Sequence, residues 1–269
     1  MIHNMNSNID RLENLLISIE TCVVAVSGGV DSMTLAFIAH SMLGPSAIMF
    51  HATSPAVPSD AYERIKEYSI KYGWNLSEIN AGELNDSSYT LNPVYRCYYC
   101  KTNLYKSIRY TVGENIAILS GANMDDLSDY RPGLLAAKKY NVRHPYIESQ
   151  FSKKMVRFLA KYYDLVDLAD LPASPCLSSR IETGININKP LLELIDKIES
   201  YVRIRFSSNN IRARILNEGV ELQVDEYILD EIICYTKLKD KIQLICKDFG
   251  KNFIGFSTYQ MGSTFIHSK

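Results

Sequence analysis

A short apolar run that leads directly into a glycine pair constrains this chain more than any other feature of its sequence. Residues 22–26 read CVVAV, residues 27–32 read SGGVDS, and residues 31–43 have helical character. A brief β-branched run of this kind predicts a buried parallel strand. Paired glycines let the backbone approach an anion closely, and the free amides at a helix start attract phosphate oxygens. The pattern predicts a strand, an anion-binding loop and a helix.

The loop residues divide into two predicted roles. The hydroxyls of Ser27 and Ser32 and the backbone of Gly28 and Gly29 are the predicted phosphate contacts. Asp31 opposes phosphate in charge and is instead a predicted ligand of Mg²⁺, which prefers carboxylate oxygens. The alternative is an ordinary strand-to-helix turn, in which the same residues serve only as capping groups.

Strands and helices alternate along the first part of the chain. The predicted strands are 22–26, 46–54, 75–81 and 116–122, and the predicted helices are 7–19, 31–43, 60–73, 98–112 and 152–163. Such alternation is typical of a doubly wound α/β fold with a mainly parallel sheet.

The order of elements changes after residue 190. Residues 168–190 are rich in Pro, Ser and Gly, which indicates a long functional loop near a domain boundary. Beyond it we expect helices at 191–206 and 225–240 and strands at 210–216, 220–224 and 252–258. The sequence therefore predicts a first domain of residues 1–185 and a smaller α+β domain of residues 186–269.

Charge and hydropathy exclude several classes of partner. The 29 Lys and Arg residues nearly cancel the 30 Asp and Glu residues, so no nucleic-acid partner is expected. No apolar run approaches the roughly 18 residues that span a bilayer, and the polar start lacks the basic and apolar regions of a signal peptide. A cytoplasmic protein without a membrane partner is the expectation.

Six cysteines in a reducing compartment favour metal or redox chemistry over a disulfide framework. Cys97 and Cys100 form a CxxC pair, and Cys176 lies in the long loop. Three thiolates are one short of a closed four-cysteine site, which suits a 4Fe-4S cluster with one open iron. The alternatives are a zinc site completed by another residue or a CxxC pair without a metal. The other cysteines are predicted to be buried small hydrophobes: Cys22, Cys234 and Cys246.

Charged residues follow the predicted strand at 116–122. Asp125 and Asp126 lie where α/β folds place ligand contacts, so they are predicted to hold Mg²⁺ or groups of a nucleotide. A helix N-cap with favourable acidic residues explains them equally well. Lys101 and Arg131 are predicted to neutralise phosphate, with a solvated surface charge as the alternative.

Two arginines mark the second part of the chain. Arg212 and Arg214 are two positions apart on a predicted strand, so both side chains emerge on one face within reach of a single phosphate or carboxylate. A polar outward face of an amphipathic strand is the alternative. Glu199 and Glu221 are predicted site acids or members of a solvated face.

Four segments together carry a family resemblance. SGGVDS resembles the pyrophosphate loop of the PP-loop ATP pyrophosphatases. With NPVYRCYYCKTNLY (92–105), SGANMDDLSDYRPGLLAAKKYNVRHP (120–145) and LPASPCLSSRIETG (171–184), it resembles the LarE family of ATP-dependent sulfur transferases. The resemblance implies that ATP adenylates a carboxylate of a pyridinium biscarboxylic acid mononucleotide, which then becomes a thiocarboxylate for a nickel-pincer cofactor.

The resemblance also implies roles for single residues and a homo-oligomer. Cys176 matches the cysteine that attacks the adenylate and, in relatives without the other cysteines, becomes dehydroalanine. Some relatives with all three cysteines are thought to use a 4Fe-4S cluster. Arg180, Arg212 and Arg214 fall among the expected contacts to cofactor or substrate. Residues 253–269 match the family least well.

The same sequence features also allow other functions. A PP-loop ligase that uses ammonia would be indifferent to all three cysteines. A tRNA thiolase is disfavoured by the balanced charge. A non-catalytic ATP-binding protein on the same fold would bind ATP without turnover.

Overall fold

The computed structural model describes residues 2–128 and 132–265. The chain divides into two compact units that interleave in sequence. Unit 1 comprises Met1–Ser54, Asp60–Gly82 and Cys97–Leu171, and unit 2 comprises Pro55–Ser59, Glu83–Arg96 and Pro172–Lys269. The division into a first domain of residues 1–185 and a second domain of residues 186–269 stays a prediction.

A four-stranded parallel sheet forms the centre of unit 1. Its strands are β1 (Cys22–Val26), β2 (Ala47–Ala52), β3 (Asn75–Ile79) and β4 (Ala117–Leu119), in the order β3-β2-β1-β4. Every described pairing in this sheet is parallel. The α/β class with a parallel sheet is therefore confirmed. β4 is shorter than the predicted strand at 116–122.

The helices of the described chain begin and end as follows. They are α1 (Ile2–Ile19), α2 (Val30–Leu43), α3 (Ser59–Tyr72), α4 (Ser87–Thr90), α5 (Arg96–Val112), α6 (Pro132–Lys139), α7 (Pro145–Glu148), α8 (Lys153–Tyr162), α9 (Val166–Ala169), α10 (Lys189–Arg203), α11 (Glu226–Cys234) and α12 (Thr236–Asp248). None of these described helices has the length and apolar character needed to cross a membrane. The sequence reasoning missed α6, whose eight residues are too few for a clear apolar period.

β1 is buried on both faces, which explains its continuous apolar sequence. Cys22, Val24 and Val26 pack in one core cluster with residues of α2. Val23 and Ala25 pack in a second cluster that contains residues of α5. Helices thus cover the sheet on two sides, and the carboxyl end of β1 is held in a fixed position.

Unit 2 contains a mixed three-stranded sheet. β5 (Ile211–Ile215) pairs antiparallel with β6 (Val220–Val224), and β6 pairs parallel with β7 (Phe253–Thr258). The turn between β5 and β6 closes with a hydrogen bond from the Leu216 amide to the Gly219 carbonyl at 2.8 Å. These three strands confirm the predicted strands of the smaller part.

The single helix predicted at 225–240 is wrong. The structure has α11 and α12 with a break at Tyr235 (φ −87°, ψ 81°). Ile228 and Ile232 are the buried residues of α11, but an uninterrupted helix would next turn Thr236 inward. The break lets α12 start a new apolar face at Leu238.

The prediction of three buried cysteines outside the site is correct for two of them. Cys22 and Cys246 are buried, and burial raises the pKa of the Cys22 thiol to about 12 and of the Cys246 thiol to about 11. Cys234 is exposed, so its prediction is wrong. It lies two positions beyond Ile232 and therefore faces away from the buried side of α11.

Candidate functional site

The loop between β1 and α2 has a shape that requires glycine. Gly28 has φ +76°, and a Cβ there would lie 2.6 Å from the Ala61 carbonyl oxygen. Gly29 is the N-cap residue of α2 and supplies no side-chain cap. The first amides of α2 therefore have no side-chain acceptor from Gly29, and such amides attract anions.

The two serine hydroxyls close this loop on itself. The Ser27 amide donates to the Ser32 hydroxyl at 3.0 Å, and the two hydroxyl oxygens lie 3.1 Å apart. Ser32 also donates to the Gly29 carbonyl at 3.3 Å. Both serines thus lie in the loop as the sequence predicted, where they fix its conformation.

A second glycine, which sequence reasoning did not single out, packs against the loop. Gly121 follows β4 closely, and a Cβ at this position would lie 2.8 Å from the Asp31 carbonyl carbon and 2.8 Å from the Ser32 amide nitrogen. Only a residue without a side chain fits here. The SGAN segment at the end of β4 was visible in the sequence, but its contact with the loop was not.

Asp31 lies in a small polar cluster within unit 1. Its carboxylate forms an ion pair with the Lys153 ammonium and accepts a hydrogen bond from the Asn123 side-chain amide at 3.3 Å. The backbone amide of Lys153 donates to the Asp125 carboxylate at 2.8 Å. Asp31 and Asp125 are therefore brought together by Lys153, a residue that the sequence analysis did not select.

Asp126 has a local structural partner. The Asn123 backbone amide donates to the Asp126 carboxylate at 3.0 Å. The Asn123 side-chain oxygen accepts from the Asp125 backbone amide at 3.1 Å. This reciprocal arrangement is a capping box. The capping alternative therefore describes the contacts of Asp126, while binding of Mg²⁺ or nucleotide by either aspartate stays a prediction.

The CxxC pair lies at the start of α5. Cys97 is exposed and Cys100 is partly buried, and residues three apart share one face of a helix. Lys101 follows Cys100 directly. Helix α6 passes close to Lys101, since a Cβ at Gly133 would lie 3.1 Å from the Lys101 Cγ. Arg131 lies outside the described residues.

Cys176 is an exposed cysteine of unit 2. It precedes a 3₁₀ turn at Leu177–Arg180. Arg180 is completely buried and donates to the carbonyl oxygens of Pro175 at 2.6 Å and Cys176 at 3.1 Å. Arg180 thus supports the loop that carries Cys176, and its direct contact with a cofactor stays a prediction.

Glu199 is the acid at the centre of this region. Its buried carboxylate accepts from Arg180 at 2.9 Å, from Arg203 at 2.6 Å and from the Ala213 amide at 3.0 Å. Burial alone would raise the pKa of Glu199, but Arg180, Arg203 and Arg212 lower it. Glu199 is therefore a charged structural partner of the arginines and not a member of a solvated face.

Arg212 and Arg214 do share one face of β5, as predicted. Both are 4% exposed, and their guanidinium carbons lie 5.7 Å and 5.8 Å from the ring centre of Tyr259. The alternative of a polar outward face is wrong, because both side chains are buried. Burial and the charge of Arg180 lower the pKa of Arg212 to about 10 and also lower that of Arg214.

Both arginines donate hydrogen bonds to acceptors in the protein. Arg212 donates to the Ala173 carbonyl at 2.8 Å. Arg214 donates to the Gln223 side chain at 3.0 Å and to the carbonyl oxygens of Ser179 and Gln260 at 3.1 Å each. Glu221 is partly exposed and reaches this group through Gln223, which donates to it at 2.9 Å. The arginines form a positively charged group with Glu199 as its buried acid.

The three cysteines of the predicted metal site belong to different units. Cys97 and Cys100 lie in unit 1, whereas Cys176 lies in unit 2. Across residues 2–128 and 132–265, no three His, Cys, Asp or Glu side chains are arranged to hold a metal ion. The described residues supply two thiols on one helix face, which is fewer than the cluster needs. The three-cysteine site stays a prediction.

The fold and loop define an α/β protein with a glycine loop at the start of a helix beside the central parallel strand. No family model matches the chain. The uncharacterized protein slr1717 of Synechocystis sp. is 32% identical over 263 residues, which cover 96% of this chain and 97% of that protein. The chain therefore belongs to the same family as this cyanobacterial protein.

Two more distant relatives extend the comparison. The uncharacterized protein MJ0830 of Methanocaldococcus jannaschii is 24% identical over 233 residues, which cover 85% of each chain. The pyridinium-3,5-bisthiocarboxylic acid mononucleotide synthase of Lactiplantibacillus plantarum is 24% identical over 254 residues, which cover 91% of this chain and 90% of the synthase. A distant homologue is thus named as an enzyme with a sulfur-containing product.

Proposed function

We propose that this chain is an ATP-dependent sulfur transferase of the PP-loop type. It adenylates a carboxylate of a small anionic substrate, such as pyridinium biscarboxylic acid mononucleotide or a related molecule, and replaces the adenylate with sulfur. The observation that carries the proposal is the glycine loop between β1 and α2. A side chain is excluded at Gly28 within the loop and at Gly121, which packs against the loop. The name of the L. plantarum relative supports the sulfur chemistry.

Activation of the carboxylate is assigned to unit 1. The amides at the start of α2 and the hydroxyls of Ser27 and Ser32 bind the phosphates of ATP. The substrate carboxylate attacks the α-phosphorus, the bond from that phosphorus to the bridging oxygen breaks, and pyrophosphate leaves. One or two carboxylates among Asp31, Asp125 and Asp126 would hold Mg²⁺ together with the ATP phosphates, and the bound ion would neutralise phosphate charge.

Lys153 has a part in this step. In the structure its ammonium pairs with Asp31. A ligand set of carboxylates around Mg²⁺ would release that ammonium toward the phosphates, where a lysine acts as a compact point charge. Lys153 thus binds phosphate in the nucleotide complex and neutralises Asp31 in its absence.

Sulfur transfer is assigned to Cys176. Its thiolate attacks the acyl carbon, the bond from that carbon to the AMP oxygen breaks, and a thioester forms. Removal of the Cα proton of residue 176 and cleavage of its Cβ–Sγ bond then give a thiocarboxylate and dehydroalanine. Arg180 holds the Cys176 backbone in place.

A 4Fe-4S cluster on Cys97, Cys100 and Cys176 is the other proposed sulfur source. Such a cluster would supply sulfide in place of the protein's own sulfur. The described residues form no three-ligand metal site, so the sulfur-transfer step is assigned to Cys176 alone.

The test is thiolation of pyridinium biscarboxylic acid mononucleotide by the anaerobically purified protein with Mg-ATP. We expect AMP, pyrophosphate and a thiocarboxylate product. Cys176→Ser should abolish the product, whereas Cys234→Ser is the matched control because Cys234 is also exposed. Full thiolation by Cys176→Ser would sink the proposal.

The intact mass of the protein identifies the sulfur source. Loss of the mass of one hydrogen sulfide molecule selects the sacrificial cysteine. Bound iron with an unchanged mass selects the cluster, and Cys97→Ser with Cys100→Ser should then stop turnover.

A further inference from the structure

Arg96, the first residue of α5, is a buried cation without the partners that other buried arginines have. It is 2% exposed and is among the largest fully buried side chains. Its Nε and Nη1 atoms have no hydrogen-bond partner in the described part of the chain.

Among the described residues, an aromatic ring contacts the Arg96 guanidinium without using its Nε and Nη1 donors. The Phe265 ring centre lies 4.5 Å from its Cζ atom. An aromatic ring binds the flat face of a guanidinium, whereas the N–H groups point outward from its edge. Phe265 therefore contacts the flat face of the group, and the buried Nε and Nη1 atoms at its edge have no acceptor among the described residues.

Arg109 shows how this fold treats an arginine with a structural role. It is 9% exposed and lies on the same helix. Its Nη1 donates to the Ile116 carbonyl at 2.6 Å and the Gly113 carbonyl at 3.0 Å, and its Nη2 donates to the Tyr140 carbonyl at 3.2 Å. Arg96 is the exception, because buried polar groups in proteins are normally hydrogen-bonded.

A second unpaired atom lies in the same short segment. Asn92 is completely buried, and its side-chain nitrogen donates to the carbonyls of Glu182 at 2.8 Å and Ile185 at 3.0 Å. Its Oδ1 atom has no partner among the residues that the structure describes. Among the described residues of unit 2, the buried side-chain atoms without partners are Asn92 Oδ1, Arg96 Nε, Arg96 Nη1 and Ser257 Oγ. Three of these four belong to Asn92 and Arg96.

The backbone of this segment is firmly held. The Arg96 amide donates to the Pro93 carbonyl at 2.9 Å, and the Gly184 amide donates to the Asn92 carbonyl at 3.2 Å. The unpaired atoms therefore belong to an ordered segment, as in sites that are organised before a ligand arrives.

We infer that Arg96 is an anion-binding residue that takes a carboxylate or phosphate oxygen of a small ligand, with Asn92 accepting a donor from the same ligand. An oxyanion is the group that matches guanidinium edge donors in both charge and geometry. Arg212 and Arg214 differ from Arg96, because their guanidinium groups donate to protein acceptors at 2.8 Å and 3.0 Å.

The first test follows the NMR signal of the Arg96 Nε–Hε group in the whole protein. This signal is identified by its loss in Arg96→Met. Inorganic phosphate and pyridine-3,5-dicarboxylate are added in separate titrations, and at least one should shift the signal in a saturable way. A response to phosphate alone assigns a phosphate group, and a response to the dicarboxylate assigns a carboxylate. No shift with either probe overturns the inference.

The second test separates binding from a structural role. Arg96→Met keeps an unbranched apolar stem and removes a buried, unpaired charge, so its melting temperature should equal or exceed that of the wild type. Arg109→Met is the control and should melt at a lower temperature, because carbonyls would lose their donors. A fall in Arg96→Met as large as in Arg109→Met would show a structural arginine and overturn the inference. Binding is measured without turnover, so a failure of the proposed sulfur transfer leaves this result unaffected.

Discussion

The two units place positive potential at their sites by different physical means. In unit 1, the loop before α2 has a shape that requires glycine, and the backbone amides at the start of α2 follow it. The Lys153 side chain is 37% exposed, and its ammonium pairs with Asp31. In unit 2, Arg180, Arg212 and Arg214 are buried around a fully buried Glu199. Backbone dipoles need little compensation, whereas buried charges require an acid and many carbonyls.

This difference predicts that the two units respond differently to substitution. A change in unit 1 should affect ligand binding more than folding. A change in the charged group of unit 2 should affect folding first. The following variants test this contrast, beginning with the largest expected effect.

Glu199→Gln should destabilise the protein by about 3–5 kcal/mol, because it removes the buried acid and leaves arginines without a counter-charge. The measurement is urea unfolding. Glu193→Gln is the matched control on the same helix, since Glu193 is 51% exposed and pairs with Lys189 at 3.5 Å. The control should change stability by less than about 1 kcal/mol.

The pH dependence of stability checks the same residue. The folded-state pKa of Glu199 is lowered, so its contribution is present above the unfolded value of about 4.3 and is lost as the pH falls through the folded value. Glu199→Gln should therefore remove part of the acid-induced loss of stability in that window. An unchanged acid limb in the variant would contradict a charged Glu199.

Gly28→Ala should weaken ATP binding strongly. A Cβ at φ +76° costs about 1–2 kcal/mol, and its overlap with Ala61 at 2.6 Å adds about 1–3 kcal/mol. If half of this cost falls on the bound loop, affinity drops by about fivefold to seventyfold. Calorimetric titration with Mg-ATP measures it.

Gly29→Ala is the control for the loop. A Cβ at Gly29 would meet only the Ser27 hydroxyl, at 3.9 Å, and the residue has φ −86°. ATP affinity should be nearly unchanged. Equal losses in the two variants would mean that the shape of the loop at Gly28 is not what the ligand requires.

Lys153→Met should weaken Mg-ATP binding by about 1.5–3 kcal/mol, the range for a hydrogen bond to a charged group. Its stability should change by less than about 1 kcal/mol, because the ion pair with Asp31 is partly exposed. Lys161→Met is the control on the same helix, where Lys161 pairs with the exposed Asp170 at 2.9 Å. Similar affinities for the two variants would remove Lys153 from the nucleotide site.

The local features of unit 1 were predictable because each lies within a few residues of sequence. The apolar run of β1, the glycine pair and the start of α2 are consecutive and identify one another. The Lys153 pair with Asp31 joins residues 122 positions apart, and the fit of Gly121 against Asp31 also depends on the fold. No periodic pattern records such contacts.

Unit 2 was predicted less completely for the same reason. The spacing of Arg212 and Arg214 predicted that their side chains share one face of the strand. The same pattern did not indicate that this face would be buried beside Tyr259. The break between α11 and α12 depends on which residues meet the sheet and core, so a continuous helical pattern hid it. Arg96 drew no attention because an arginine before a CxxC pair looks like a surface charge until its burial is known.

The most direct test of the central claim is single-turnover pyrophosphate release by Cys176→Ala with Mg-ATP and pyridinium biscarboxylic acid mononucleotide. If the glycine loop activates the carboxylate and Cys176 delivers sulfur, this variant should release pyrophosphate in the first turnover and form no thiocarboxylate, while Gly28→Ala should release several-fold less pyrophosphate at the same subsaturating Mg-ATP. Formation of thiocarboxylate by Cys176→Ala, or loss of its pyrophosphate release to the level of Gly28→Ala, would contradict the division of activation and sulfur delivery.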